Sequence, residues 1–195
     1  IKITASGVTI DLNGFDLAGV PGPGSFSGVS AGFAGLTGIA IRNGSVRNWD
    51  HGIDLGSLPV SGSRIEDIRA TANLLDGIWV GPQSIVTGCA VDGASDGIYS
   101  YNESVISNCS VTNTGTVAIR VQDGGTIIGC SATGNAGLGF NGTNGCTITS
   151  CSAANNGTDG FHFADGCTIS SCSASGNLGS GIVVSNGGNI TSCSA

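Results

Sequence analysis

Apolar and polar residues alternate along short stretches of the chain with a period of two. The segment TIT at 147–149 places one apolar residue between two hydroxyls, and FHF at 161–163 places a polar residue between two rings. This alternation is typical of strands with one buried face, and it differs from the period of 3.6 that a helix requires. Strands of three to five residues, separated by Gly and Asn, cannot bury a face alone, so we expect them to stack.

The alternation recurs every 20 or 21 residues, and a column of cysteines marks the repeat: Cys89, Cys109, Cys130, Cys151, Cys172 and Cys193. Cys146 and Cys167 form a second column with the same spacing. Ile or Val stands three residues before each Cys of the first column, and a small residue followed by a large apolar one comes eight or nine residues after it. Leucine-rich repeats share this period, but leucine is scarce here, and the nine-residue calcium-binding roll has the wrong period. The spacing therefore predicts an all-β fold, a right-handed parallel β-helix (solenoid) with 20–21-residue coils.

We expect a single β-helix domain over residues 1–195, with regular coils from about 39 to 195. Residues 18–38 are rich in Gly, Pro and Ser and show no period, so we predict a long loop there. Asn recurs four or five residues after the cysteine column, as Asn73, Asn113, Asn135, Asn156 and Asn177. Stacked amides bond from rung to rung, and Asn accepts the left-handed conformation of a tight corner, which together predict an asparagine ladder. The sequence stops inside a coil without a cap, so we expect either further coils of a longer chain or end-to-end self-association.

The alternation also predicts which residues point outward, because each follows a large apolar residue that points inward. These outward residues are Asp54, Trp79, Tyr99, Arg120, Asn141, His162 and Val183. Tyr101 and Gln122 also point outward, while Asp76, Asp96 and Asp159 precede the small residue of their repeats. Rings pack on sugar faces, and Asp, Asn and Arg bond to sugar hydroxyls. We therefore predict a glycan-binding face formed by Asp54, Trp79, Tyr99, Tyr101, Arg120, Gln122, Asn141 and His162; half-exposed rings and Asp-Gly turns of ordinary surface type are the alternative.

Several stretches resemble one known superfamily. VTIDLNGF at 8–15, IRNGSV at 41–46 and the recurring Asp-Gly-Ile/Phe are similar to the pectate-lyase-like β-helix superfamily. Its members include pectate lyases, polygalacturonases, alginate-modifying enzymes, phage tailspikes and many extracellular β-helix proteins. The resemblance covers nearly the whole chain and implies a secreted or cell-surface module with a structural or glycan-binding role. The alternative that it implies is a polysaccharide lyase, hydrolase or epimerase.

For catalysis, the resemblance to pectate lyases implies calcium on several carboxylates and an Arg as base. Asp76 and Asp96 stand on adjacent rungs, where they could share a calcium ion or a proton. The further catalytic candidates are Arg120, Asp159 and His162, although rung spacing places Asp159 about 10 Å from Arg120. The polygalacturonase motifs Asp-Asp, Gly-His-Gly and Arg-Ile-Lys are missing from the sequence, so that family's catalytic residues have no counterparts here. The neighbours Asp50 and His51 are interpreted as a corner pair.

Three interpretations are open for the cysteines: a stack of inward thiols, rung-to-rung disulfides, and metal ligands. Adjacent rungs lie within disulfide range, but parallel in-register side chains do not favour the required dihedral angle, and free Cys is often buried. The C-x2-C pairs of zinc ribbons are missing from the sequence. We therefore favour inward thiols.

Charge and composition narrow the partners. Only 10% of the residues are charged, and no basic residue follows Arg120. Without clustered Lys or Arg, nucleic acid and anionic membrane surfaces are unfavourable partners, and no apolar stretch is long enough for membrane insertion. Regular columns such as Thr126, Thr147 and Thr168 are similar to those of ice-binding β-solenoids, which makes ice binding a third hypothesis.

Overall fold

A computed structural model describes residues 1–20 and 26–195, and these residues form strands and turns without any helix. The described part of the chain therefore contains no helix that could cross a membrane. The chain winds in successive coils, and strands of neighbouring coils pair in parallel. The first sheet has nine strands: β1 (Lys2–Ile3), β4 (Ser27–Ala31), β6 (His51–Asp54), β8 (Asp76–Val80), β11 (Asp96–Ser100), β14 (Val117–Val121), β17 (Leu138–Gly142), β20 (Phe161–Phe163) and β23 (Ile182–Val184).

The second sheet has 15 strands and two limbs. One limb contains β9 (Ile85–Thr87), β12 (Val105–Ser107), β15 (Thr126–Ile128), β18 (Thr147–Thr149), β21 (Thr168–Ser170) and β24 (Asn189–Thr191). The other contains β10 (Ala90–Asp92), β13 (Ser110–Thr112), β16 (Ser131–Thr133), β19 (Ser152–Ala154) and β22 (Ser173–Ser175). The eight-residue strands β5 (Ala40–Arg47) and β7 (Arg64–Thr71) each span both limbs, while β2 (Thr9–Asp11) and β3 (Asp16–Ala18) pair with β5. The fold is thus the predicted all-β parallel solenoid.

A sharp corner separates the two limbs in every regular coil. The residue before the cysteine column has a left-handed backbone there, as in Asn108 (φ 53°), Gly129 (φ 61°) and Ser150 (φ 55°). Gly adopts this conformation without strain and Asn at little cost, whereas Ser is tolerated less readily. The corner interrupts the strict alternation of the sequence and turns the chain from one limb to the next.

The core is a stack of like side chains along the solenoid axis. The predicted inward column is confirmed, because the following residues are fully buried: Ile53, Ile78, Ile98, Ile119, Phe140 and Phe161. Phe140 and Phe161 stack with ring centroids 4.7 Å apart. Ile182, on the last strand of the first sheet, is only partly buried.

The eight cysteines are free thiols, and seven of them are buried. Cys109 N donates to Cys130 Sγ at 3.4 Å, and Cys130 Sγ donates to the Ile128 carbonyl at 3.4 Å. The hydrogen bond with Cys130 and burial raise the pKa of Cys151 to about 12, against the opposite effect of Cys172. The interpretation as a stack of inward thiols is confirmed.

An asparagine ladder runs beside this stack, but it has fewer members than predicted. The Asn73 amide accepts from Trp49 N and donates to the Val46 carbonyl, and among the described residues it does not bond to another Asn. Asn135 Nδ2 donates to Asn156 Oδ1, and Asn156 Nδ2 donates to Asn177 Oδ1, each at 2.9 Å. Asn113 is instead exposed at a left-handed corner (φ 55°). Thr114 takes its place and donates through Oγ1 to Asn135 Oδ1 at 2.9 Å. Asn113 follows its Cys by four residues rather than five, and this one-residue offset changes the direction of the side chain.

The prediction of one long loop over residues 18–38 is wrong in part. Strand β4 lies within this range and pairs with β1 and β6, and its Val29 is fully buried. Residues 21–25 lie outside the described residues. The first coils are longer than the later ones, since Val29 and Ile53 are 24 positions apart and Ile53 and Ile78 are 25 apart. This difference conceals the period in the sequence.

Candidate functional site

An outward column of side chains runs across the strands of the first sheet. Strand register pairs these residues on successive coils, as predicted: Asp54, Trp79, Tyr99, Arg120, Asn141, His162 and Val183. Asp76 and Asp96 pair in the same way, three residues earlier on their strands. We call the following residues the polar–aromatic band: His51, Asp54, Asp76, Trp79, Asp96, Tyr99, Tyr101, Arg120 and Gln122.

In β8 and β11, the Asp-Gly-Ile-aromatic sequence places one outward side chain on either side of an inward Gly-Ile pair. A side chain at Gly97 would collide with Val111 and with the Ala118 carbonyl, so Gly97 faces the interior. Ile98 is fully buried beside it. Asp96 and Tyr99, on either side of this pair, are only partly buried and lie on the outer surface.

The rings of the band stack along the solenoid axis. Trp79 and Tyr99 are nearly parallel, with centroids 5.8 Å apart and an interplanar angle of 6°. Arg120 Cζ lies 5.4 Å from the Tyr99 centroid on the next strand, and the His51 ring lies 5.7 Å from Trp79 on the previous one. Neighbours on adjacent coils therefore cover the faces of Trp79 and Tyr99, so a ligand reaches the edges of these rings.

His51 contacts Asp76 rather than its chain neighbour Asp50. Its Nδ1 lies 2.8 Å from Asp76 Oδ2 as an ion pair without hydrogen-bond geometry, and both side chains are largely buried. Burial lowers the pKa of His51, but the Asp76 contact and the charges of Asp54 and Asp50 outweigh it, and the pKa is raised. The predicted corner pair of Asp50 and His51 is therefore wrong, although one signal in the sequence could have placed His51 on this face. The signal was its place two residues before Ile53, which matches the place of Asp76 before Ile78.

Asp96 is the acidic group at the centre of the band. It lies 3.7 Å from Arg120 Nη1, accepts from the Val117 N–H at 3.1 Å, and also accepts from the Thr116 hydroxyl. Burial raises the pKa of Asp96, and the charge of Asp76 adds to this; Arg120 and the Val117 N–H act in the opposite direction. This is the environment of a carboxyl group that holds its proton at higher pH than usual.

Besides His51 Nδ1, two donors of the band are buried without a hydrogen-bond partner among residues 1–20 and 26–195. They are Trp79 Nε1 and Arg120 Nε. Buried donors are ordinarily satisfied, so an unpaired donor in a surface band points to a bound group or to water. Gln122 Nε2, in contrast, is paired and donates to the Tyr99 hydroxyl at 2.6 Å.

Asp54 does not present an open carboxylate, which corrects its predicted role. It is buried, and it accepts from Ser57 N at 2.9 Å and from Ser57 Oγ at 2.6 Å. The extra residues of this long coil fold over Asp54 and the neighbouring ring, and a side chain at Gly56 would collide with the Trp79 indole. Asp54 therefore holds the segment that covers one edge of the band.

Asn141, Asp159 and His162 form a second group, next to the band. His162 Nδ1 lies 2.8 Å from Asp159 Oδ2, and Asn141 Nδ2 donates to the His162 carbonyl at 3.0 Å. The bonds from His162 and from the Ser180 N–H lower the pKa of Asp159. Asn141 pairs with Arg120 on the next strand and His162 lies one strand further, so this hydrogen-bonded group adjoins the band along the predicted face.

The predicted calcium pair does not form a metal site by itself. In residues 1–20 and 26–195, no three or more His, Cys, Asp or Glu side chains converge on one point. Asp76 already contacts His51, and Asp96 contacts Arg120. Calcium takes six to eight oxygen ligands, so a bound ligand would have to supply most of them.

The hydroxyl columns of the second sheet are in register but partly bonded to one another. Thr147 pairs with Thr126 and Thr168, as predicted. Ser170 Oγ donates to Thr149 Oγ1 at 3.1 Å, which uses hydroxyls of the neighbouring column. Hydroxyls that bond to each other are less available to water, so this sheet fits ice binding less well than the pattern predicts.

The comparisons with known proteins agree with this architecture. A family model described as a right handed beta helix region matches residues 76–195, which is more than half of the chain and includes most of the band. No curated protein and no solved structure matches the sequence. The matched family model and the parallel coils with their buried ladders show that the chain belongs to the right-handed β-helix family.

Proposed function

We propose that this protein is a secreted or cell-surface module that binds a polysaccharide along the polar–aromatic band. The observation that carries the proposal is the continuity of the band across β6, β8, β11 and β14, where His51 contacts Asp76, Trp79 stacks on Tyr99, and Arg120 contacts Asp96. Four strands at about 4.8 Å spacing span about 14 Å, a length suited to a few sugar rings lying along the solenoid axis.

The chemistry of the band suits a hydroxyl-rich ligand. Edges of aromatic rings supply apolar contact, and the Arg120 guanidinium, whose side chain is 34% exposed, supplies charged donors. Gln122 uses Nε2 on Tyr99, which leaves its Oε1 and the Tyr99 hydroxyl proton for a ligand. Sites that recognise small polar molecules combine apolar surface with a few placed polar groups, as here.

A panel of soluble polysaccharides and oligosaccharides, with and without calcium, tests the proposal. We expect at least one glycan to bind the whole chain, and Arg120→Gln to weaken it about tenfold because an ionic hydrogen bond is lost. Phe33→Ala, which removes an exposed ring outside the band, is the matched control and should leave binding unchanged. Absence of binding across the panel would contradict the proposal and favour a structural role.

Asp96 supports a second candidate function, the cleavage of the bound polysaccharide. A partly buried carboxyl group whose pKa is raised, beside an Arg, is suited to donate a proton at higher pH than an ordinary Asp. The same panel, analysed for new reducing ends and for unsaturated products, tests this. Asp96→Asn should abolish cleavage while binding remains, and a panel that is bound but never cut excludes it.

A further inference from the structure

A shallow depression adjoins the band where the chain leaves β11. It has a volume of about 240 Å³ and is lined by Pro59, Pro82, Tyr101, Asn102 and Gln122. Two prolines and a ring give it mostly apolar walls, and the two amides provide polar groups at its edge. None of these five residues carries a charge.

Tyr101 is oriented differently from the other rings of the band. Its plane is inclined by 55° to Trp79 and by 59° to Tyr99, so it does not continue their stack. It is the aromatic residue that lines the depression. Because the faces of Trp79 and Tyr99 are covered, Tyr101 is the ring that a sugar in this depression would contact.

Two carboxylates, those of Asp54 and Glu103, lie near the depression. Burial raises the pKa of Tyr101, and the nearby Tyr99 and the charge of Asp54 add to this. Glu103 directly follows Asn102, and Gln83 Nε2 binds its carboxylate at 3.0 Å. Arg120, the cation of the band, is opposed by Asp96. An anionic ligand at Tyr101 would thus lose hydration, and the five residues that line the depression offer it no cationic side chain.

Size limits the occupant to one small ring. The volume corresponds to about eight water molecules, below the range of about 300–1,000 Å³ typical of drug-sized ligands. We infer that the depression binds one uncharged pyranose residue, with its apolar face against Tyr101 and its hydroxyls bonded to Asn102 and Gln122. This inference rests on the proposed function and names the sugar class that the band accepts at this end.

Saturation-transfer NMR and titration of the whole chain with methyl glycosides provide the test. The probes are methyl glycosides of neutral hexoses and the matching methyl glycosides of hexuronic acids, at a pH where the acids are ionised. We expect the neutral glycosides to bind with dissociation constants on the order of millimolar and the uronides at least tenfold more weakly. Tyr101→Ala should weaken neutral binding about tenfold, and Tyr101→Phe should have a small effect because it keeps the ring.

Controls separate this inference from the proposed function. Thermal melting of each variant shows whether it folds, and Phe33→Ala should bind like the wild type. Equal or tighter binding of the uronides, an unchanged affinity of folded Tyr101→Ala, or no binding of any monosaccharide overturns the inference, while polysaccharide binding that depends on Arg120 still supports the proposed function. Loss of both kinds of binding overturns both proposals.

Discussion

Trp79 and Tyr99 stack on adjacent strands with centroids 5.8 Å apart and planes within 6° of each other. Their spacing follows from in-register parallel pairing, which places equivalent residues of successive coils one above the other. Both faces of Tyr99 are occupied, since Arg120 lies over the side that Trp79 does not cover. These rings are therefore held in place by their neighbours. A ligand of the band would contact their edges and the Tyr99 hydroxyl.

Removal of the Tyr99 ring should loosen Trp79 without unfolding the solenoid. We expect Tyr99→Ala to lower the free energy of unfolding by about 0.5–1.5 kcal/mol beyond the loss of buried area, the usual value of an aromatic pair. In a Trp49→Phe background, Trp79 is the single tryptophan, so its fluorescence should shift to longer wavelength. Tyr99→Phe, which keeps the ring but loses the Gln122 bond, should show no shift. Equal spectra for both variants would contradict the stack.

The ion pair of His51 and Asp76 predicts a loss of stability as the pH rises above about 6.5. The pKa of His51 is raised above its ordinary 6.5, so the stabilisation is fully present below about pH 6.5 and is lost as pH rises through the raised pKa. The urea concentration at the unfolding midpoint should therefore decrease as the pH rises above about 6.5. His51→Gln and Asp76→Asn should each flatten this dependence, and the double variant should add little.

His162 provides the control for the pH experiment. Its side chain is 48% exposed and its partner Asp159 is on the surface, whereas that of His51 is 17% exposed. Exposed pairs contribute little to stability, so His162→Gln should leave the slope nearly unchanged. A slope that survives His51→Gln would show that another group causes it.

The fold followed from the sequence because a solenoid repeats the same local signal on every coil. A single residue such as Ile148 or Phe161 does not identify the buried side of its strand. The same alternation at the same spacing in successive coils does identify it. The errors occur where the spacing changes. Asn113 is one residue out of step, and β4 belongs to a coil lengthened by several residues.

The site was harder to predict, since it depends on contacts between coils. Outward columns could be read from the alternation, but the covered faces of the rings and the partner of His51 depend on distances that no single coil contains. The segment after Asp54 was missed because the 25-residue coil was aligned only on its apolar residues. Insertions in long coils are where a solenoid often acquires binding surfaces.

Asn156 is expected to be a critical member of the asparagine ladder. It is almost fully buried, its Nδ2 donates to Ala132 O at 3.1 Å and to Asn177 Oδ1 at 2.9 Å, and its Oδ1 accepts from Asn135. Asn156→Ala leaves these groups without partners, so the free energy of unfolding should fall by about 2–4 kcal/mol. Asn186→Ala, at an exposed position, should change it by less than about 0.5 kcal/mol. Similar urea midpoints for the two variants would contradict the ladder.

The thiols should resist alkylation in the folded chain. Alkylation requires the thiolate, and a thiol such as Cys151 with a pKa of about 12 has a thiolate fraction of about 10⁻⁴ at pH 8. Iodoacetamide should therefore leave the seven buried cysteines unmodified and react first with Cys193, which is more exposed. Intact-mass measurement in urea should show all eight modified. Rapid labelling of Cys130 or Cys151 before unfolding would show that the column is open to solvent.

The last prediction concerns the register on which every assignment above depends. Ile148 is fully buried between Ile127 and Ile169 of the adjacent strands. Ile148→Asp places a carboxylate without a partner in this stack, and because desolvation of an unpaired charge is very costly, the neighbouring coils should unfold. Thr147→Asp is the matched control: it adds the same charge one residue away, on the exposed side of the same strand. Since successive residues of a strand face opposite sides, the control should melt within a few degrees of the wild type. Ile148→Val, which removes one methylene group, should cost about 0.5–1.5 kcal/mol and shows the response to a core change that the fold tolerates. Circular dichroism melting of the three variants provides the measurement. Equal melting curves for Ile148→Asp and Thr147→Asp would show that the strand is shifted by one residue, and the outward columns would then have to be reassigned.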